Sequence, residues 1–220
     1  MIQPLIKHKT VGPYQVLTYL VACPWKKEGV LIDPAGQEEE LAAWVRENGV
    51  KVKYILNTHG HPDHSLGNKK LKELLGAPVA MHEADDDFFA SEAGQAMSRQ
   101  ELGLPGPERA DLRLEDGRIL PVGDLLIEVI HTPGHTPGSC CFLIEGNLFT
   151  GDTLFVGAVG RTDLTGASLE TLLHSLEHKL LGLPDETVVW PGHDYGETPS
   201  STLAKEKAEN PYITDFILSE

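Results

Sequence analysis

Cysteine is scarce in this chain, and what there is cannot build a covalent framework. Cys23, Cys140 and Cys141 make an odd count without metal-type spacing, and the last two are neighbours that point to opposite faces of a strand. The thiols are therefore expected to be packing groups, and a reducing cytoplasmic setting is expected. Basic side chains are also few. Eighteen Lys and Arg against 33 Asp and Glu leave a net charge of −15, a field that repels nucleic acid and anionic membrane surfaces alike. No stretch approaches the roughly 18 apolar residues of a membrane span, and residues 1–10 lack an apolar run ahead of a small-residue cleavage site. There is no internal repeat and no low-complexity tract. The expectation is one soluble domain over residues 1–220, with neither nucleic acid nor membrane as partner and with homo-oligomerisation left open.

What is present is alternation. Tyr14–Ala22 and Val30–Asp33 read as strands joined by a polar turn, and Gln37–Asn48 reads as a helix, with Leu41, Ala42, Trp44 and Val45 at helical spacing. Val52–Leu56 is a third strand, Leu66–Leu75 a helix stopped by Gly76, and Pro78–Met81 a short buried strand. The acidic triplet Asp85-Asp86-Asp87 reads as a solvated helix face. Ser91–Leu102 reads as a helix, and Gly103–Pro107 is the most loop-like stretch, a candidate lid. Short strands at Arg113-Leu114, Ile119-Leu120 and Leu125–Ile130 are expected to begin a second sheet. Strands Cys140–Ile144 and Leu148–Thr150, a helix Ser168–Leu181, a strand Thr187–Trp190 and a helix Thr202–Glu209 complete the chain. Two strand-rich halves, each with helices, imply two sheets face to face with helices outside.

The densest chemistry follows the third strand: Thr58-His59-Gly60-His61-Pro62-Asp63-His64. Imidazole is the commonest transition-metal ligand, and a carboxylate completes a donor set that zinc, iron and manganese accept. His59 and His61 are expected to leave an extending strand on one face, while the Pro62 turn lets Asp63 and His64 project from the next helix, so two metals could be served. Later segments repeat the device of a ligand at a strand end. His135 sits between two Pro-Gly turns in Thr132–Gly138, Asp152 follows Gly151, and His193 follows Pro191-Gly192. His82, His8 and the helical pair His174 and His178 read as ordinary polar residues, and His131, four residues before His135, reads as a strand-end polar residue or as one that contacts substrate or orients a ligand.

Across essentially the whole chain, the H-x-H-x-D-H motif, T-P-G-H-T-P-G, G-D-T-L-F and P-G-H resemble the metallo-β-lactamase superfamily. That resemblance implies an α/β (α+β) fold, a four-layer αββα sandwich of two mixed sheets with helices on the outer faces. It further implies that His59, His61 and His135 hold one metal, that Asp63, His64 and His193 hold a second, and that Asp152 bridges them. Zinc is the expected pair of ions, with iron or manganese as alternatives. Two divalent ions, two carboxylates and a bridging hydroxide leave about +1, which suits a developing oxyanion. Asp63 is then also the catalytic carboxylate, orienting the nucleophile or relaying a proton.

True β-lactamases of the main di-zinc class usually carry Cys where this chain has Asp152. The stretch from Gly151 to Asp163 is similar instead to glyoxalase II, the hydroxyacylglutathione hydrolases. A metal-dependent hydrolase of a thioester, such as an S-2-hydroxyacylglutathione, is the expected function. Arg161 matches a basic glutathione-contacting position there. Asp163 departs from the tyrosine that the larger enzymes carry nearby, and the further basic contacts of their long C-terminal helical region are not expected from the residues after Pro211. On its residues alone, Arg161 suits either a substrate carboxylate or an ion pair with Asp163. The segment from Gly160 to Tyr195 is also similar to persulfide dioxygenases, which implies a single iron held by His59, His135 and Asp152 and glutathione persulfide as substrate. A phosphodiesterase or nuclease of the same fold is the third alternative, and the −15 charge opposes it.

Overall fold

The computed structural model describes residues 2–218. Strands β1 (Leu5–Val11), β2 (Val16–Ala22) and β3 (Glu28–Ile32) form an antiparallel meander. β1 was not expected. Its Lys7-His8-Lys9 run is polar because it lies at a sheet edge, where charged side chains discourage pairing with another chain. Helix α1 (Glu38–Glu47) buries the four residues expected from its spacing and leads into β4 (Lys51–Leu56), parallel to β3.

The short α2 (Pro62–Ser65) and α3 (Asn68–Leu75) then lead to β5 (Val79–His82), parallel to β4. Helices α4 (Glu83–Ala90) and α5 (Glu92–Gln100) precede β6 (Leu112–Leu114). β6 pairs in parallel with β5 and so completes the first sheet, where the sequence suggested the start of the second. A three-residue strand carries no local signal of its partner.

The second sheet contains β7 (Ile119–Val122), β8 (Leu125–His131), β9 (Cys140–Ile144) and β10 (Asn147–Gly151), all antiparallel. A small hairpin, β11 (Leu154–Phe155) and β12 (Ala158–Val159), was not expected from the sequence. After it, α6 (Leu169–Ser175) continues into a π-helical turn, Leu176–Leu180. β13 (Val188–Pro191) returns parallel to β10, followed by β14 (Ser201–Thr202), α7 (Leu203–Glu209) and α8 (Pro211–Thr214). The order is β14-β13-β10-β9-β8-β7.

The sheets face one another through Leu17, Tyr19, Val30 and Ile32 on one side and Ile127, Val129, Phe142 and Phe149 on the other. On the outer face of the first sheet, Leu20, Leu31 and Ile55 pack against Leu41, Val45 and Leu71 of α1 and α3. On the outer face of the second, Ile130, Leu148 and Val189 pack against Leu172, Leu176 and Leu203. Helices thus flank two mixed sheets, the expected αββα sandwich. Cys140 belongs to the layer between the sheets and Cys141 to the helix side, and all three thiols are free and buried. No described helix is long and apolar enough to cross a membrane. The reading of residues 1–220 as one unit extends to Met1, Ser219 and Glu220, which lie outside the described residues.

Two expectations are corrected. In the acidic triplet only Asp87 is exposed, whereas Asp85 and Asp86 are buried. Loop amides beside α4 need acceptors. Asp86 accepts from Ala110 N–H at 2.9 Å and from Arg109 at 2.7 Å. The loop Gly103–Pro107 lies away from the cleft: Pro105, Gly106 and Pro107 line a cavity of about 220 Å³ with Ser65 and Lys69, and none of the loop's five residues lines the cleft beside Asp152.

Candidate metal centre

The parallel pairs β3–β4 and β10–β13 bring strand C-termini to one edge of the sandwich, and every candidate ligand sits there. β4 ends at Leu56, so His59 and His61 lie in a turn rather than on an extending strand. Carboxylates take the amides of that turn: Thr58 N–H donates to Asp33 Oδ1 at 2.8 Å and Gly60 N–H to Asp85 Oδ2 at 2.7 Å. Pro62 then opens α2, which carries Asp63 and His64 in its single turn. His135 hangs in the loop between β8 and β9, while Asp152 and His193 follow the ends of β10 and β13.

All seven residues converge. His61 Nδ1 lies 2.9 Å from His135 Nε2, and the His59 ring lies 4.7 Å from His61 and 4.8 Å from His135. His64 Nε2 lies 3.2 Å from His193 Nε2, and Asp63 Oδ2 is 3.6 Å and 3.9 Å from those two nitrogens. Asp152 stands between the groups, 3.4 Å from His64, 3.5 Å from His193 and 3.7 Å from His135. Each trio, His59/His61/His135 and Asp63/His64/His193, offers donor atoms within 4.8 Å of one another. Glycine is required beside them: a Cβ on Gly192 would stand 2.4 Å from Asp152 Oδ1, and one on Gly160 would stand 1.8 Å from the Asp152 carbonyl oxygen.

The hydrogen bonds behind the rings assign their tautomers. The Thr58 hydroxyl donates to Asp33 Oδ2 at 2.7 Å, so His59 Nδ1–H donates to Thr58 Oγ1 at 3.0 Å. His64 Nδ1–H donates to Asp33 Oδ2 at 3.1 Å, and His135 Nδ1–H to the Arg161 carbonyl at 2.8 Å. The Nε2 atoms of His59, His64 and His135 are thereby turned into the common space. Of the atoms that face this space, His59 Nε2 and Asp152 Oδ1 are buried without any hydrogen-bond partner. Leaving such groups unpaired costs about 1–3 kcal/mol each, whereas a divalent cation accepts lone pairs and offsets carboxylate charge. The donor set fits a metal. Asp33 also lies within reach of His59 and His64, but Thr58 and His64 already engage both its oxygens, so it orients ligands rather than serving as one.

Burial and the neighbouring imidazoles hold His59 and His61 well below the ordinary imidazole range, in the neutral form that offers a lone pair. Burial also lowers His135. For His64 burial acts in the same direction, but Asp152, Asp63 and Asp33 outweigh it and push the ring up to about 10. Burial raises Asp152.

Beside the centre opens a cleft of about 480 Å³, lined by Asp152, Phe155, Arg161, Leu169, Tyr195 and Tyr212 among others. Tyr195 stacks on His193 with ring centroids 4.9 Å apart. Arg161 is in the cleft wall and is also held by Asp163 through two hydrogen bonds, Nε to Oδ1 at 2.7 Å and Nη2 to Oδ2 at 2.8 Å. Both readings of Arg161 therefore have a structural counterpart.

Sequence reasoning passed over Asp33, Thr58 and Asp85, whose only signal was an acidic residue or threonine next to a strand or motif. His131 stacks on His82 at 3.9 Å and donates to the Pro137 carbonyl at 2.9 Å, bracing the His135 loop. His174 and His178 stack on each other on the surface, as expected of a solvated pair.

Residues 11–193 match the family model described as the metallo-beta-lactamase superfamily. The chain is 36% identical over 196 residues to hydroxyacylglutathione hydrolase GloC of Haemophilus influenzae, covering 86% of this chain and 88% of that one. It is 34% identical over 215 residues to the human mitochondrial persulfide dioxygenase ETHE1, covering 96% and 77%. Among solved structures, that of BLEG-1 B3 metallo-beta-lactamase superposes with a TM-score of 0.86 at 33% identity, covering 96% of this chain and all of the other.

Proposed function

Because the chain belongs to the metallo-beta-lactamase superfamily, we propose that it is a metal-dependent hydrolase of small thioesters, an S-2-hydroxyacylglutathione being the type of substrate expected. One observation carries this reading. The Asp63/His64/His193 trio is gathered as closely as the His59/His61/His135 trio, and Asp152 lies within 3.7 Å of members of both. That spacing leaves room for two cations and supports a hydrolytic centre. When bound, two divalent ions, zinc in this reading, supply Lewis acidity and bring the pKa of water to roughly 7.

The chain's own groups do the rest. His59, His61 and His135 would hold one ion and Asp63, His64 and His193 the other, with Asp152 between the two groups. The Asp63 side chain, 14% exposed, is the carboxylate placed to orient the nucleophile or take its proton. Phe155, Tyr195 and Tyr212 shield the cleft and offer apolar surface to the acyl or thiol portion, and Arg161 offers a guanidinium to a carboxylate on the thiol carrier. The leaving thiolate, with a solution pKa of about 8.5, needs little help from a general acid.

A second reading is an iron persulfide dioxygenase using His59, His135 and Asp152, favoured by the similarity to ETHE1. The two separate in one experiment. Metal analysis of protein purified without added metal is combined with assays of lactoylglutathione cleavage and of oxygen uptake on glutathione persulfide. Two ions per chain, thioester cleavage and no oxygen uptake are expected. One iron with stoichiometric oxygen uptake and no thioester cleavage would transfer the assignment. A β-lactam joins the same assay because of the B3 enzyme's similarity, and efficient turnover of it alone would overturn the thioester reading.

A further inference from the structure

Asp85 is fully buried on α4, and it touches neither a ligand side chain nor the cleft. Its carboxylate nevertheless joins the two loops that deliver three of the histidines. Oδ2 accepts from Gly60 N–H at 2.7 Å, between His59 and His61, and from the Thr136 hydroxyl at 2.7 Å, next to His135. Oδ1 accepts from Gly138 N–H at 2.6 Å in the His135 loop. The loop is closed on itself around the same point, since Thr136 N–H donates to Ser139 Oγ at 3.0 Å. Gly138 approaches so closely that a Cβ there would stand 2.3 Å from Asp85 N.

We propose that Asp85 is a positioning residue for one metal site only: it sets the separation of the His59–His61 turn from the His135 loop, and with it the affinity of that trio for its ion. The inference rests on the assignment of those three histidines to one cation in the proposed function. No bond from Asp85 reaches α2, Asp152 or the turn of His193, and α2 keeps its own bonds of His64 N–H and the Ser65 hydroxyl to the His61 carbonyl, each 3.1 Å, so the Asp63/His64/His193 trio is expected to keep its geometry when Asp85 is changed. The carboxylate is required chemically because three donors converge on it. An amide of the same size must turn its own N–H groups toward at least one of them.

The test uses zinc as the probe and a competing chromophoric chelator, applied to wild type, Asp85→Asn, Thr136→Val and Asp86→Asn. Asp86 is the control, being also buried on the same helix but bonded to Ala110, Arg109 and Arg113 instead of a ligand loop. Wild type is expected to release two ions per chain. In Asp85→Asn one ion is expected to leave at about 10- to 100-fold lower chelator strength, the usual cost of losing a partner behind a ligand, with the other unchanged. Thr136→Val, which preserves shape and removes one of the three hydrogen bonds to Asp85 together with the Thr136–Ser139 hydroxyl contact at 2.8 Å within the His135 loop, should weaken the same ion about fivefold, and it serves if Asp85→Asn does not fold. Asp86→Asn should lower the melting temperature and leave both affinities intact.

Release of both ions together in Asp85→Asn, or affinities matching those of Asp86→Asn, would overturn the proposal. So would an unchanged Thr136→Val. Two ions in wild type without thioester cleavage would remove the proposed substrate and leave the Asp85 assignment standing, whereas a wild type that binds no zinc would remove both.

Discussion

The Asp33 carboxylate accepts the Nδ1–H of His64 at 3.1 Å, and the same oxygen accepts the Thr58 hydroxyl that braces His59. One buried acid therefore orients a histidine in each trio. Asp33→Ala is expected to lower metal affinity at both sites by about 10- to 100-fold. It is also expected to destabilise the fold by about 1–3 kcal/mol for each donor left without an acceptor. Metal content after dialysis and a urea denaturation curve check this, and a variant with wild-type metal content would show that Asp33 is dispensable to the ligands.

Asp152 lies between the two trios, so its removal should be felt by both. Asp152→Ala is expected to lose activity and to lower the melting temperature, because a ligand present at 100 times its dissociation constant stabilises the native state by about 2.7 kcal/mol, and that linkage disappears with the ion. Chelator-treated wild type should melt like the variant. Near-normal turnover and metal content in Asp152→Ala would be incompatible with a shared carboxylate.

Arg161 and Asp163 are both largely exposed, so their ion pair contributes little net stability and yields readily to a substrate carboxylate. Arg161→Ala is expected to raise KM for a glutathione thioester about tenfold with little change in kcat, as for a group that holds substrate and transition state equally. Small uncharged thioesters should be indifferent to the change. Equal losses on both substrates with a lower melting temperature would make the pair structural.

The buried thiols give the pH dependence. Burial pushes Cys141 up to about 12 and Cys140 well above its ordinary value near 9. Both stay protonated in the native state while the unfolded chain ionises. The stability they contribute is therefore complete below about pH 9 and is lost as pH rises toward 12, at about 1.4 kcal/mol per pH unit for each group. Urea midpoints should fall steeply between pH 9 and 11, and Cys141→Ala should make that fall shallower. At pH 8 a thiol reagent should find no reactive Cys140 or Cys141 until denaturant is added.

Much of the centre was legible because metal chemistry restricts residue type. Only a few side chains ligate transition metals, and six residues holding three imidazoles and a carboxylate declare their purpose without a structure. The same holds for α1, whose Leu41, Ala42, Trp44 and Val45 spacing names its buried face in advance, and for α3, which ends at a left-handed Gly76.

What escaped was decided by partners far away in sequence. β1 is a strand because β2 supplies its backbone bonds, without enough apolar pattern to announce itself, and β6, expected as a strand, joins the first sheet because β5 is its partner. Asp85 is indistinguishable from Asp87 in the sequence, three acids in a row on a short helix. Only the folded chain turns one toward the amides of Gly60 and Gly138, 25 and 53 residues away, and leaves the other to an arginine pair in solvent. The amino-acid sequence by itself determined which atoms can ligate a metal and that they lie at strand ends. The tertiary structure alone decided which carboxylates stand behind them, because a buried acceptor is matched to its donors by three-dimensional proximity and leaves no periodic trace along the chain.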